Sequence, residues 1–68
     1  MTALRINGEE TELAVATVAE LLAERGIDPA ARFLAVAVNG AVIRRAEWSG
    51  ARLSPGDQVE IVRPLQGG

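Results

Sequence analysis

Two adjacent glycines, Gly67 and Gly68, are the residues of this sequence that point most directly to chemistry. They follow residues 58–62, which read as the last strand, at a place where packing does not have to restrain the chain. Glycine has no Cβ, so a backbone of glycines can enter a narrow channel in another protein. The pair is therefore either a frayed end or a flexible arm that offers the carboxylate of Gly68 as a reactive group.

The residues between the last strand and the glycines suit a partner that grips such an arm. Pro64 lacks a backbone donor and ends the strand, so the chain leaves it in a semi-rigid direction. Leu65 is apolar on a segment expected to be exposed and could anchor in a partner's groove. Arg63 could pair with a partner's carboxylate. An alternative, in which Leu65 folds back onto the edge of the domain, stays open.

The chain offers little chemistry of its own. It contains no histidine and no cysteine, so the commonest general base, the commonest transition-metal ligands and disulfides are excluded. It has no phosphate-binding glycine motif of the required spacing and no Asp-rich loop for a hard cation. Glu9, Glu10 and Glu12 are interpreted as solvent-facing side chains rather than paired catalytic carboxylates. We expect no catalytic residue, no metal site and no cofactor bound by the chain itself.

Length and charge narrow the class of protein further. With 68 residues the chain is one small domain with one core. The net charge of −2 and the lack of a basic cluster argue against a nucleic-acid partner. No apolar run approaches the roughly 18 residues of a membrane span, and the N-terminus lacks the layout of a signal peptide. The expectation is a cytoplasmic monomer that does not associate with membranes.

The first half of the sequence predicts a β-hairpin followed by a helix. Two short alternating runs flank Asn7 and Gly8, which both tolerate the positive φ of a tight hairpin turn. Thr17 and Glu20 fit a capping box at the start of the helix, and Gly26 fits its C-terminal cap. One stripe of the helix is expected to face the core: Val18, Leu21, Leu22 and Arg25.

The second half predicts three more strands. Residues 33–38 are apolar on both faces, which is typical of a buried strand, and an Asn-Gly turn leads from them into a second strand at 41–45. The SPGD segment predicts a type II turn before the last strand, whose apolar residues favour the middle of the sheet beside the first strand. Two hairpins flanking one helix predict an α+β fold with the order ββαβββ, in which the helix covers one face of a mixed sheet. This is the β-grasp layout.

Nearly the whole chain resembles the ThiS family of sulfur carriers, within the ubiquitin-like β-grasp superfamily. The resemblance is carried by the segments RINGEE, TVAELL, AVAVNGAVIRRAEW and LSPGDQVEIV and by the final Gly-Gly pair. The third and fourth segments are the more specific ones. A final Gly-Gly pair alone also occurs in MoaD, the molybdopterin sulfur carrier, and in ubiquitin-like modifiers.

The resemblance implies a carrier cycle centred on Gly68. Its carboxylate would be adenylated and then converted to a thiocarboxylate, while Gly67 and Gly68 thread the active site of the activating partner. Three partners are implied: a ThiF-like adenylating enzyme that uses ATP and Mg²⁺, a cysteine desulfurase or other persulfide donor, and a ThiG-like thiazole synthase. The chain would be a carrier and substrate rather than an enzyme, with a β-grasp domain at residues 1–63 and a flexible tail at residues 64–68.

Other functions fit the same residues. A MoaD-like or related carrier would serve molybdopterin, cysteine or tRNA thiolation, although the length of 68 residues favours the ThiS type. A ubiquitin-like modifier would form isopeptide bonds through Gly68, and a structural module would not use the glycines at all.

Two further features each have two interpretations. Trp48 either closes the core or is an anchor for a partner, and we favour the core. All seven basic residues are arginine, which codon usage alone would explain. A sharper hypothesis is that the absence of lysine suppresses self-acylation at the activated carboxylate, since arginine stays protonated.

Overall fold

The computed structural model describes residues 1–63, which fold into one mixed sheet covered by one helix. Its elements are β1 (Thr2–Ile6), β2 (Glu9–Leu13), α1 (Val18–Glu24), β3 (Ala35–Val38), β4 (Ala41–Ile43), a 3₁₀ helix (Arg45–Glu47) and β5 (Gln58–Val62). The strand order is β2-β1-β5-β3-β4, in which β1 and β5 are parallel and all other neighbours are antiparallel. The predicted α+β class, the β-grasp layout and the central place of the last strand are confirmed.

Both predicted Asn-Gly turns are present. Asn7 and Asn39 have φ values of 51° and 52°, and the glycine after each has a φ of 85°. Two consecutive residues with positive φ are what a two-residue hairpin turn requires, because its backbone twist then matches that of the strands. The first turn sets the register of β1 against β2, which pairs Ile6 with Glu9. The two hairpins therefore follow directly from local sequence.

The start of α1 differs from the predicted capping box in one bond. Thr17 is the N-cap, and its Oγ1 accepts a hydrogen bond from the backbone N–H of Glu20 at 3.2 Å. The Glu20 carboxylate accepts from the N–H of Ala16 at 2.7 Å, one residue before the N-cap whose N–H a standard box would use. The helix start is confirmed, while the reciprocal bond reaches one residue further back.

The end of α1 is a Schellman motif. Gly26 has a φ of 72°, and the N–H of Ile27 bonds to the carbonyl of Leu22 at 2.9 Å. Ile27 is buried against the helix that it terminates. Arg25, which the spacing placed on the core stripe, is instead exposed, because the helix ends at Glu24 and Arg25 belongs to the cap.

The core lies between α1 and one face of the sheet and is entirely apolar among the described residues. The prediction for residues 33–38 was partly wrong, because β3 begins at Ala35. Phe33 is 78% exposed in a turn with a φ of 62°, so it cannot extend the strand. β3 is an interior strand as expected, yet the helix covers only the face that carries Val36. The buried residues are Leu4, Ile6, Val15, Val18, Leu21, Leu22, Ile27, Leu34, Val36, Trp48, Leu53, Val59 and Ile61.

The connection from β4 to β5 contains the predicted type II turn. β4 ends at Ile43, short of the predicted residue 45, because the chain enters the 3₁₀ helix there. In the SPGD turn, the N–H of Asp57 bonds to the carbonyl of Ser54 at 3.1 Å, and Gly56 has a φ of 90°. This confirms the type II turn, since its third residue needs a positive φ.

Candidate functional site

β5 is the last strand before the residues predicted to carry the chemistry. It lies between β1 and β3 and pairs with both. Its residues Val59 and Ile61 point into the core with 1% and 9% of their surface exposed, while Val62 is 60% exposed on the opposite face. The strand that leads to Gly67 and Gly68 in sequence is therefore held by hydrogen bonds on two sides and by core packing on a third.

Arg63 directly follows β5 and is exposed, so its guanidinium is accessible to a partner. Its role in docking stays a prediction. The other predicted site residues, Pro64, Leu65, Gly67 and Gly68, lie outside the described residues. The predicted boundary between a domain at residues 1–63 and a tail at 64–68 also falls there. We refer to residues 64–68 below as the C-terminal segment.

A small cleft of about 120 Å³ opens beside the end of β5. Its basic side chains are Arg25 and Arg63, which come from the helix cap and from the end of the strand. Guanidinium groups bind carboxylates through paired N–H donors, so the cleft suits an acidic group of a partner. The lining residues are Ile6, Asn7, Arg25, Ile27, Ile61 and Arg63.

The face of the sheet away from α1, which we call the open face, carries an apolar area next to the end of β5. Val42 and Val62 are 74% and 60% exposed, and Ala35 is exposed as well. In the register of the sheet, Ala35 lies opposite Val62, and Ala37 lies between Val42 and Glu60. Adjacent exposed apolar side chains of this kind favour a protein contact.

The other half of the open face is polar. A shallow depression of about 660 Å³ there is lined by residues of β1, β2 and β5, including Arg5, Glu10 and Glu12. Arg5 and Glu10 form an ion pair at 3.0 Å. Both groups are at least half exposed, so the pair contributes little to stability. Glu9 is exposed as well, which confirms that the three glutamates face solvent.

Trp48 belongs to the core, and the alternative interpretation as a partner anchor is wrong. Its side chain is 3% exposed, and its indole N–H donates to the carbonyl of Ile43 at 2.9 Å. The guanidinium of Arg45 lies 4.9 Å from the centre of the ring, within the range of a cation–π contact. The tryptophan thus ties the end of β4 to the 3₁₀ helix.

One contact near the end of β5 was not expected from the sequence. The side-chain amide of Asn7 accepts a hydrogen bond from the N–H of Ile61 at 2.8 Å and donates to the carbonyl of Ile61 at 3.3 Å. The preference of asparagine for a tight turn already accounts for its place before Gly8, so the sequence carried no separate signal for this contact.

Residues 1–63 bring together no group of acidic side chains that could hold a metal ion. In the same range, no helix is long and apolar enough to cross a bilayer.

Comparison with known proteins gives a match over almost the full chain. A family model described as the ThiS family matches residues 4–68. The crystal structure of a thiamine biosynthesis protein (ThiS) from Geobacter metallireducens is 28% identical, with a TM-score of 0.78, and the alignment covers 98% of this chain and 100% of the other. An NMR structure of a thiamine biosynthesis protein from the same organism is 28% identical, with a TM-score of 0.79 and coverage of 98% and 88%. No curated protein matches the chain.

Proposed function

Because the chain belongs to the ThiS family, we propose that it is a sulfur carrier of thiamine biosynthesis and that the carboxylate of Gly68 carries the sulfur. One observation supports this above all others. The family model matches residues 4–68, a range that begins within β1 and includes Gly67 and Gly68, so the fold and the glycine pair are matched together. Both Geobacter metallireducens structures are described as thiamine biosynthesis proteins and share the fold at 28% identity.

The proposed chemistry takes place at the carboxyl carbon of Gly68. A carboxylate oxygen attacks the α-phosphorus of ATP, pyrophosphate leaves, and an acyl-adenylate forms. The sulfur of a donor then attacks the carbonyl carbon and AMP leaves. If the donor is a persulfide, a thiol must also cleave the S–S bond of the acyl disulfide to release the thiocarboxylate. Adenylation is needed because the oxygen of a free carboxylate is a poor leaving group.

The chain contributes the folded domain and the carboxylate that reacts, and its partners contribute the catalytic groups. We propose a ThiF-like enzyme for adenylation with ATP and Mg²⁺, a cysteine desulfurase or other persulfide donor for sulfur, and a ThiG-like thiazole synthase as the acceptor. In this scheme Gly67 and Gly68 enter the activating enzyme, since residues without a Cβ allow close approach on all sides. The cytoplasmic location remains a prediction.

The docking surface in this proposal is the apolar area of the open face together with Arg63. Val42 and Val62 expose apolar side chains on the open face, and Glu60 adds a negative charge there. A partner that covers this area would bury apolar surface and hold the start of the C-terminal segment at the same time. Pro64 and Leu65 are proposed to continue this contact.

The identity of the product is best tested by tracing the sulfur atom that the chain transfers. The chain would be loaded with a heavy sulfur isotope by a ThiF-like enzyme, ATP and a sulfur donor, and then offered separately to a thiazole synthase and to a molybdopterin-forming enzyme. We expect label in the thiazole, none in molybdopterin, and none in either with the chain lacking Gly68. Label in molybdopterin alone would assign the carrier to a different product. Attachment of the chain to lysines of other proteins would favour a modifier instead.

A further inference from the structure

The side chain of Asn7 extends the pairing between β1 and β5 beyond the point where β1 ends. The backbone N–H of Asn7 donates to the carbonyl of Val59 at 2.9 Å. A regular parallel ladder would next use a donor two residues later, at Glu9, for the carbonyl of Ile61. The chain has reversed by then, because Asn7 and Gly8 form the turn and Glu9 belongs to β2.

The side-chain amide of Asn7 supplies the donor and the acceptor that a longer β1 would offer to Ile61. Its Nδ2 donates to the carbonyl of Ile61 at 3.3 Å, and its Oδ1 accepts from the N–H of Ile61 at 2.8 Å. Ile61 is thereby satisfied at both backbone groups by a single side chain from a residue 54 positions away. Without Asn7, both groups on this side of β5 would face the small cleft at the end of the strand.

This contact is located where the C-terminal segment leaves the domain. On the other side of β5, the pairing with β3 continues to Val62, which lies opposite Ala35. On the β1 side, the Asn7 amide makes the last hydrogen bonds to β5 that the described residues provide, two residues before Arg63. We propose that Asn7 is a positioning residue that fixes the direction in which β5 presents the C-terminal segment to the activating enzyme.

The second Asn-Gly turn supplies a natural comparison within the same chain. Asn39 has nearly the same φ as Asn7, and its Oδ1 accepts from the N–H of Gln58 at 2.9 Å. Its backbone N–H also donates to the carbonyl of Gln58, at 2.7 Å. Asn39 therefore holds the first residue of β5 through its Oδ1 and its backbone N–H, while its Nδ2 donates to the carboxylate of Asp57 at 3.0 Å. The two asparagines share their backbone conformation and an Oδ1 that accepts from an N–H of β5, and they secure opposite ends of that strand.

The proposal rests on the proposed function, because positioning matters only if the C-terminal segment is delivered to an enzyme. Fixing the direction in which the chain continues after β5 reduces the conformational entropy that is lost when the C-terminal segment is bound. A residue with a purely structural role would affect stability equally at either end of the strand. A positioning role predicts that only the loss of the Asn7 side chain changes the order of Val62 and Arg63 and the kinetics of thiocarboxylate formation.

The test compares Asn7→Gly with Asn39→Gly. Glycine keeps the positive φ that each turn requires, so each variant removes the side-chain contact and leaves the turn intact. Amide hydrogen exchange first verifies the loss, with faster exchange at Ile61 in N7G and at Gln58 in N39G. The ¹⁵N heteronuclear NOE of Val62 and Arg63 is then expected to fall in N7G and to stay at the wild-type value in N39G.

Kinetics of activation give the second readout. For thiocarboxylate formation with a ThiF-like enzyme, we expect kcat/KM to fall about three- to tenfold in N7G, mainly through KM, and to stay within about twofold of wild type in N39G. Asn7→Asp keeps the acceptor for the N–H of Ile61 and loses the donor, so it should lie between wild type and N7G. It also serves as the test variant if N7G does not fold.

Equal changes in both glycine variants, or unchanged Val62 and Arg63 amides in N7G, would overturn the proposal. Failure of the proposed function is distinguishable from this result. If the wild-type chain forms no thiocarboxylate, the function is wrong, whereas the NMR comparison still decides whether Asn7 orders the end of β5.

Discussion

Val62, the last residue of β5, lies opposite Ala35, the first residue of β3, on the face of the sheet that α1 leaves uncovered. Val62 directly precedes Arg63 in sequence, and the side chains of Val62 and Ala35 are both exposed. An apolar surface thus borders the last residue of β5, next to Arg63. A partner that binds both Arg63 and the residues after it would lie beside this surface.

The first prediction concerns this surface. Val62→Glu is expected to weaken binding to the activating enzyme about tenfold, because an interface would have to bury the new carboxylate. The binding constant from isothermal titration calorimetry measures the effect. Ala23→Glu is the matched control, since Ala23 is exposed on α1, on the other side of the sheet, and should bind as the wild type does. Equal affinities for both variants would show that the open face is not part of the interface.

The second prediction separates the two aromatic residues. Trp48→Phe is expected to lower the free energy of unfolding by about 1–3 kcal/mol, because the carbonyl of Ile43 loses its indole donor in a partly buried setting. Phe33→Ala should change it by no more than about 0.5 kcal/mol, since Phe33 is 78% exposed. Urea unfolding followed by circular dichroism measures both. A larger loss in F33A than in W48F would contradict the assignment of Trp48 to the core.

The third prediction compares two glycines with different backbone conformations. Gly56→Ala should destabilise the domain by about 1–2 kcal/mol, because Gly56 has a φ of 90° and a side chain is strained there whatever the space. Gly50→Ala should be close to neutral, since its φ is not in that region and a Cβ would meet only the carbonyl of Glu47 at 3.9 Å. Denaturant midpoints provide the comparison. Equal midpoints for the two variants would argue against the type II turn.

The fourth prediction tests the hypothesis about the lysine-free composition. Arg63→Lys places an amine close in sequence to the activated carboxylate of Gly68. On activation with ATP and the adenylating enzyme, we expect this variant to form self-conjugates, either within one chain or between chains, that intact-mass analysis and gel electrophoresis detect. Arg63→Gln replaces the same guanidinium without adding an amine and should form none. If R63K yields no more conjugate than R63Q, the lack of lysine has no such role.

Much of the fold could be predicted because its signals are local. The hairpin turn at Asn7 and Gly8 needs only two residues that accept positive φ. The cap at Thr17 and the Schellman motif at Gly26 likewise depend on residues within one or two turns of the chain. Once these elements and their order were set, a helix on one face of a mixed sheet was the layout that buried their apolar sides.

The errors came from features that local patterns do not determine. Phe33 continues the apolar run of β3 in sequence, but its φ of 62° puts it in a turn. Arg25 fits the spacing of the helix stripe, yet the helix ends one residue earlier. The contact between Asn7 and Ile61 joins residues 54 positions apart, so no window of sequence contains both. Such contacts become visible only when the sheet order is known.

For the candidate site, the sequence and the structure inform different parts. Gly67 and Gly68, with Pro64 and Leu65, were identified from residue type and family resemblance, and their roles remain predictions. The structure adds what surrounds the exit of β5: the exposed Val62, the basic cleft beside Arg63 and the Asn7 amide. These features could not be inferred before β5 was placed between its two neighbours.

The central claim is that the carboxylate of Gly68 becomes a thiocarboxylate, and intact-mass spectrometry tests it most directly. The chain would be incubated with ATP, Mg²⁺, a ThiF-like enzyme and a sulfur donor, with the chain lacking Gly68 as control. We expect a mass increase equal to the replacement of one oxygen by one sulfur, localised to the C-terminal peptide and absent from the control. An unchanged mass with several activating enzymes that convert their own carriers under the same conditions would contradict it.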